Sequence, residues 1–580
     1  MLSHSSRHSL SILPVAVLLL CFSLQANAEV SAQETSSELI DNDRPKIGLV
    51  LSGGGARGFA HIGVLKVLEQ NNIPVDYIVG TSMGSIVGAL YAIGLTPEEI
   101  ELGVQNILWE KVFNDFAFRK YRYFRRKSDD FSFFNIHRVG VTSDGLQLSP
   151  GLIEGQQIEL ALDRLGYPGF HIEDYDDFRI PYRAVATDIE TGDPVIIKSG
   201  NIARAMRASM TIPGALPPIK IDGKLLVDGG IANNVPIDLA REMGADIVIV
   251  VDISAPLASQ DEIKSTLDIT GQLTTIMTRR IANKQLETLT DKDVLIIPGE
   301  KDIGSSDFNK YPELIKEGER SANENLDELR KLSLSFEDYS EHIASLPVVA
   351  KKTPIIDFIE INNKTALRDE VFKVRINQKL GEPLDIPQLE EDLSYIYGLD
   401  FSSSVVYSLE ERDGQTGLIV YVRDRSWASS YLQFGLSIKS DSDLGSLTNF
   451  DAAYTKHDLN SLAGEFRATA GLGSEPQLSA EIYQPMTVNL DYFVSAKIGL
   501  SSTVFPSVID NTIENMKRFH RKYIDLSTGK LFKQTTELRL GYYRSNGDTR
   551  TISGADPAYE LGDFEEGYIF ARLIHDSLDN

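Results

Sequence analysis

Short β-branched runs alternate with amphipathic stretches from Lys46 to about Leu332, a pattern that predicts an α/β layer domain with a largely parallel sheet. Ile47 to Leu51, Tyr77 to Val79, Tyr182 to Ala186 and Ile247 to Val251 read as strands. His61 to Gln70 and Ser85 to Ile93 read as helices, and Glu313 to Leu332 as the closing helix. Residues 333–353 lack such a pattern and read as a linker. A smaller α+β unit follows over 354–425. It comprises a strand (Ile355 to Ile361), two helices (Arg368 to Lys379 and Ile386 to Tyr397) and two strands (Ser404 to Leu409 and Gly417 to Val422) that turn at Gly414.

Across 426–580 the period falls to two. Leu432, Phe434, Leu436 and Ile438 alternate with Gln433, Gly435, Ser437 and Lys439, and the pattern returns at Val494 to Leu500 and Leu538 to Tyr542. About eight such segments, flanked by aromatic residues, predict either a transmembrane β-barrel or a soluble sheet with one wet face.

At the other end, Arg7, an apolar run from Leu10 to Leu24 and Ala26-Asn27-Ala28 fit a secretory signal over 1–28, followed by a polar tether over 29–45. Cleavage there removes Cys21, the only cysteine, and leaves a mature chain without disulfide or thiolate chemistry. The net charge of −26 argues against nucleic acid as a partner. Against that background Arg119, Lys120, Arg122, Arg125, Arg126 and Lys127 stand out, interleaved with three aromatics. They read as a patch that docks on anionic phospholipid, or as a solvated loop or an oligomer contact.

Two glycine-rich turns carry the chemistry. Gly53, Gly54, Gly55, Ala56, Arg57 and Gly58 follow the first strand and lead into a helix, where unpaired amides bind anions. Gly80, Thr81, Ser82, Met83 and Gly84 form a G-x-S-x-G elbow that lifts the Ser82 hydroxyl off the sheet. No Gly-Lys-Ser/Thr follows the first loop, which excludes a P-loop. A dinucleotide site has no use for the elbow in the next turn.

The base for Ser82 is less plain. The α/β domain has His61, His137 and His171; His61 reads as structural, and no motif surrounds the other two. Asp228 ends an apolar strand before Gly229 and Gly230, which reads either as a base or as a plain turn. Arg57 reads as an aid to an oxyanion or, preferably, as an outward ion pair that holds the loop. No histidine cluster or acidic loop calls for a metal or cofactor.

Residues 46–332 resemble patatin-like phospholipases. The resemblance rests on the glycine loop with Phe59 to Leu65, the elbow, Ala186-Thr187-Asp188 with Thr191-Gly192, Ala208 to Gly214, and Val227 to Gly230 with Asn233 to Pro236. It implies a Ser82–Asp228 dyad, an oxyanion hole on the glycine loop and hydrolysis of phospholipid or another acyl-ester lipid without metal or cofactor. Residues 354–425 resemble a POTRA domain, and 426–580 the N-terminal part of an outer-membrane surface-antigen barrel.

The order of domains is similar to that of patatin-like autotransporters of Gram-negative bacteria. It implies export, insertion by outer-membrane assembly machinery, and a catalytic domain at the cell surface or secreted. His575 to Asn580 resembles a mid-barrel turn, so the expectation is an incomplete barrel that continues beyond Asn580. The competing reading is an assembly or translocation pore whose N-terminal domain only binds.

Overall fold

The computed structural model describes residues 44–578, apart from 114–116, 135–137, 262, 300–302, 349–352, 426, 442–444, 510–511 and 555–561. The leader over 1–28 with Cys21, nearly all of the tether and His137 lie outside the described residues.

The α/β region is built on one eight-stranded sheet. From edge to edge it runs Val294–Ile296, Ile247–Val251, Ile47–Leu51, Tyr77–Thr81, Tyr182–Asp188, Lys224–Asp228 and Ile219–Ile221, with Pro194–Ile197 paired on Tyr182–Asp188. Ile47–Leu51 and Ile247–Val251 are buried along their whole length, which explains their unbroken apolar sequence. The first five strands pair in parallel. Lys224–Asp228 runs antiparallel to Tyr182–Asp188, so the sheet is parallel only over its first part. This reversal matters for chemistry, because it brings an acid to the sheet from the opposite direction to the elbow.

The closing helix is shorter than its pattern predicts: Tyr311–Glu324 is followed by single turns over Leu326–Leu329 and Arg330–Leu332. The linker is not structureless, for Phe336–Ser345 is a helix whose first turn is capped by the Ser335 side chain. The small unit has a three-stranded sheet in the order Phe358–Asn363, Gln415–Asp424, Ser402–Arg412, with helices Asp369–Lys373 and Ile386–Tyr397. Its first helix is shorter than expected. Gly414 lies in the turn between the last two strands with φ +76°.

The C-terminal region forms eight antiparallel strands in sequential order: Ser430–Asp441, Gly445–Lys456, Glu465–Gly473, Gln477–Pro485, Tyr492–Ile509, Thr512–Phe532, Thr536–Gly554 and Phe564–His575. The α/β region adds two more to the first edge, a hairpin of Val139–Thr142 and Gly145–Gln147 in which Gly140 opposes Tyr431. Among the described residues the ten strands form an open sheet.

Its two faces are reversed relative to a soluble sheet. Ile438, Leu472 and Leu573 are 66%, 70% and 69% exposed, whereas Gln433 and Glu465 are 1% and 2% exposed. Among the described residues no helix is long and apolar enough to cross a membrane.

The basic run lies against the covered polar face, and this corrects the expectation of a membrane-docking patch. Arg119, Arg126 and Lys127 are buried, and Arg122 and Arg125 are half-buried. Arg125 donates to Glu465 at 2.7 Å and to Glu481 at 2.9 Å, and Arg126 pairs with Asp129 at 3.2 Å and also with Glu465. Arg119 pairs with Asp130 and Asp576, and Arg122 with Asp130 at 2.9 Å. Lys120 alone of the six is exposed, and it rests over the Tyr121 ring. The physical reason is that distant strands bring carboxylates to the patch, where low dielectric strengthens each pair.

Candidate active site

Ser82 sits between the strand Tyr77–Thr81 and the helix Met83–Ala92. Its backbone has φ 53° and ψ −123°, a strained conformation for a residue with a side chain. The flanking glycines permit it. A Cβ on Gly80 would lie 2.4 Å from the Gly84 carbonyl oxygen, and one on Gly84 would lie 2.2 Å from that of Leu51.

Sheet register brings the acid to the elbow. Thr81 pairs with Val185, and Asp228 pairs with the next residue, Ala186. Ser82 and Asp228 therefore straddle one strand, and the Ser82 hydroxyl donates to Asp228 Oδ2 at 2.7 Å. Asp228 Oδ1 accepts the Gly230 amide at 2.8 Å, which is the use the Asp-Gly-Gly turn makes of its second glycine. Gly229 instead donates its amide to the Ser209 carbonyl at 3.2 Å. Burial pushes the Asp228 carboxyl up to about 6, against the lowering pull of the Ser82 hydroxyl and the Gly230 amide.

Ser209 lies in the Ala208 to Gly214 block, where sequence alone assigned it no role of its own. Its hydroxyl accepts the Ser82 amide at 2.8 Å and donates to the Val185 carbonyl at 2.5 Å, tying elbow to strand. Thr187 donates its hydroxyl to the Asp228 carbonyl at 2.8 Å. Asn234 bonds the Gly53 carbonyl at 3.2 Å and Ser254 at 2.8 Å, and so fixes the start of the glycine loop. All three fall in the sequence blocks around Ala186, Ala208 and Asn233; that proximity was the available signal.

His61 is fully buried, and burial lowers its pKa to about 4. The neutral ring faces the Ser52 carbonyl, with Nε2 2.9 Å away, a structural position. His171 is exposed. Among the described residues no histidine hydrogen-bonds Ser82, and no group of His, Cys, Asp and Glu could hold a metal ion.

The glycine loop holds Gly55 at φ +61° before a 3₁₀ turn over Gly55–Phe59. One expected anion donor is already engaged, because the Ala56 amide donates to the Ser305 carbonyl at 2.8 Å. Gly54, Gly55 and Arg57 remain as candidate backbone donors at the turn, with Gly53 and Gly58 as close-packed supports: a Cβ on either would meet Ser82 or Met83 side-chain atoms under 3.0 Å away. Arg57 is half-buried and makes no ion pair among the described residues, against the expected outward pair. Its Nε lacks a hydrogen-bond partner among the described residues, and burial and then Arg279 lower its pKa.

Beside the elbow lies an apolar pocket. Met83 and Met210, each next in sequence to a serine of the site, line it together with Ile158 and Leu162.

Residues 49–241 match the model of the family described as patatin-like phospholipase. Patatin-like phospholipase domain-containing protein 6 of Homo sapiens is 38% identical over 221 residues, which is 37% of this chain and 14% of that protein. Lysophospholipase NTE1 of Cryptococcus neoformans is 36% identical over 210 residues, 36% of this chain and 11% of its own length. The chain thus spans about 14% or less of the length of these curated relatives.

Among solved structures, VipD from Legionella pneumophila aligns with a TM-score of 0.29 at 14% identity, covering 49% of this chain and 67% of that one. BamA from Haemophilus ducreyi aligns with a TM-score of 0.29 at 12% identity, covering 38% and 43%. The family match takes in the glycine loop, the elbow and Asp228 together, and the chain therefore carries a patatin-like phospholipase domain over residues 49–241.

Proposed function

We propose that this chain is a lipid acyl hydrolase in which Ser82 is the nucleophile and Asp228 its only base. The observation that carries the reading is the 2.7 Å hydrogen bond from the Ser82 hydroxyl to Asp228, on an elbow with no histidine in hydrogen-bond reach among the described residues. Its raised pKa makes the Asp228 carboxylate a stronger base than an exposed one while leaving it ionised at neutral pH.

In the reaction, Asp228 takes the Ser82 proton as Ser82 Oγ attacks the ester carbonyl carbon. The Gly54 and Gly55 amides and the N-terminus of the helix Met83–Ala92 face the oxyanion. Collapse of the tetrahedral adduct breaks the ester C–O bond, and the departing alcohol takes its proton from Asp228. Water then attacks the acyl-serine and gives a proton to Asp228, which returns it to Ser82 as the carboxylic acid leaves. The apolar pocket at Met83 and Met210 takes the acyl chain. The names of the relatives, a phospholipase and a lysophospholipase, support a phospholipid or lysophospholipid ester as substrate.

The reversed faces of the C-terminal sheet support its seating in lipid as part of an outer-membrane barrel, since apolar side chains face outward and polar ones are covered. The strand and helix order over 354–425 supports a POTRA-type unit, and the leader over 1–28 supports export. These assignments give the domain division 46–332, 354–425 and 426–580.

The test is a fluorophosphonate ester on the full chain in detergent. It should label Ser82 in the wild type and fail on Ser82→Ala, which also loses hydrolysis of a phospholipid panel. Labelling at another serine would overturn the assignment.

A further inference from the structure

We propose that Phe308 gates the acyl pocket, carried on a strap over Ile303–Phe308 that also engages the glycine loop. The proposal rests on the acyl-hydrolase reading above and concerns how its site opens.

The starting point is a mismatch of size. The pocket beside Ser82 is lined wholly by apolar side chains, yet its open volume is about 30 Å³. Sites that hold organic ligands usually offer about 300–1,000 Å³. A long acyl chain cannot enter the pocket in this form, so part of its wall must move.

The outer wall is aromatic and is drawn from separate segments. Phe308 stacks on Trp109 with ring centroids 4.9 Å apart, and its ring lies 4.5 Å from that of Phe113. Phe59, at the base of this group, meets both Trp109 and Phe308 edge-on at 5.2 and 6.0 Å. Most of the remaining wall cannot give way, because Ile100, Val104, Ile158 and Leu162 are each at most 4% exposed within the helix core. Phe308, Trp109 and Phe113 are half-buried, and of the three it is Phe308 that sits at the end of a short surface strap.

A second observation concerns the same strap. Its Ser305 carbonyl accepts the Ala56 amide at 2.8 Å, and it lies so near Gly55 that a Cβ there would be 2.3 Å from it. Ile303 is buried and anchors one end, and the Asp307 carboxylate accepts the Gly304 amide at 2.8 Å, which keeps the strap in one piece. A shift that withdraws Phe308 from the pocket mouth therefore also draws the Ser305 carbonyl off Ala56 and adds that amide to the donors beside Ser82. Entry of an acyl chain and completion of the anion site become one movement, and short esters that leave Phe308 in place do not trigger it.

The test compares full-length wild type, Phe308→Ala and Phe308→Leu in detergent on the butyrate and palmitate esters of p-nitrophenol. Expected is a rise of about tenfold in the palmitate-to-butyrate ratio of kcat/KM in Phe308→Ala, since its ring contacts need not be broken for a chain to enter. Phe308→Leu should fall between, and serves if the alanine variant does not fold. Ala161→Phe, which fills the pocket, should lower the ratio. A direct readout is Trp109 emission in a Trp427→Phe, Ser82→Ala background, which should shift on adding palmitate and shift less when Phe308 is also alanine.

An unchanged ratio in both Phe308 variants, with butyrate still hydrolysed and Ser82 labelled, would overturn the gate and leave the hydrolase intact. Failure of the wild type to be labelled at Ser82 would overturn the hydrolase reading and the gate with it.

Discussion

Asp228→Asn should abolish turnover and yet stabilise the protein, and the size of that gain follows from the site. Asparagine keeps an acceptor for the Gly230 amide and a polar partner for Ser82, so the two hydrogen bonds at 2.8 and 2.7 Å have isosteric replacements. What it removes is ionisation. Burial raises the Asp228 carboxyl from 3.8 to about 6, so between those values the native state binds a proton that the unfolded chain has released.

Wild-type stability therefore falls as pH rises through that window, and the full penalty is present above it. A shift of roughly two units at about 1.4 kcal/mol each gives about 3 kcal/mol. For a catalytic domain of this size that is roughly 5–10 °C in Tm. The assay is thermal unfolding of full-length wild type and Asp228→Asn, both carrying Trp427→Phe so that Trp109 alone reports on the catalytic domain. The two chains should melt together below about pH 4, and the asparagine variant should melt later by the stated margin above about pH 7. Equal melting at pH 8, or a difference that does not shrink in acid, would refute a desolvated carboxylate at this position.

Hydrolysis itself should show an acidic limb with its midpoint at about pH 6, since Asp228 must be ionised to take the Ser82 proton; a midpoint near 4 in a pH profile of kcat/KM would count against it. Gly84→Ala should prevent the elbow from forming, because its Cβ would sit 2.2 Å from the Leu51 carbonyl oxygen; loss of fluorophosphonate labelling together with a lowered Tm checks this. Arg126→Met should cost about 3–5 kcal/mol, because it leaves Asp129 and Glu465 buried with one fewer cation, and the measurement is denaturant unfolding of the full chain. Lys120→Met, at the one exposed position of that run, should change stability by less than about 0.5 kcal/mol in the same experiment.

Strands and helices of the catalytic region were legible because they follow from local periodicity. Ile47–Leu51 and Ile247–Val251 begin and end where the apolar runs do. The elbow was legible for a related reason: Gly80 and Gly84 are needed within a few residues of Ser82 by contacts that any such turn makes. The eight C-terminal strands also announced themselves by their alternation. Which face meets solvent did not, since a period of two is the same for a sheet with its apolar side inward or outward.

What only the tertiary structure decided were pairings between residues far apart in the chain. Asp228 is ambiguous in sequence, a base or a plain turn, until antiparallel pairing with Tyr182–Asp188 sets it one register step from the elbow. The basic run from Arg119 to Lys127 resembled a surface patch because carboxylates that pair with three of its six cations, at Glu465, Glu481 and Asp576, lie more than 300 residues away. Ala56 looked like a free donor until the Ser305 carbonyl was found on it. Local pattern determines which residues turn, extend or coil, because those preferences arise within a few bonds. Charge neutralisation, hydrogen-bond occupancy and burial depend on what the rest of the chain brings to the same place, and no local period encodes that.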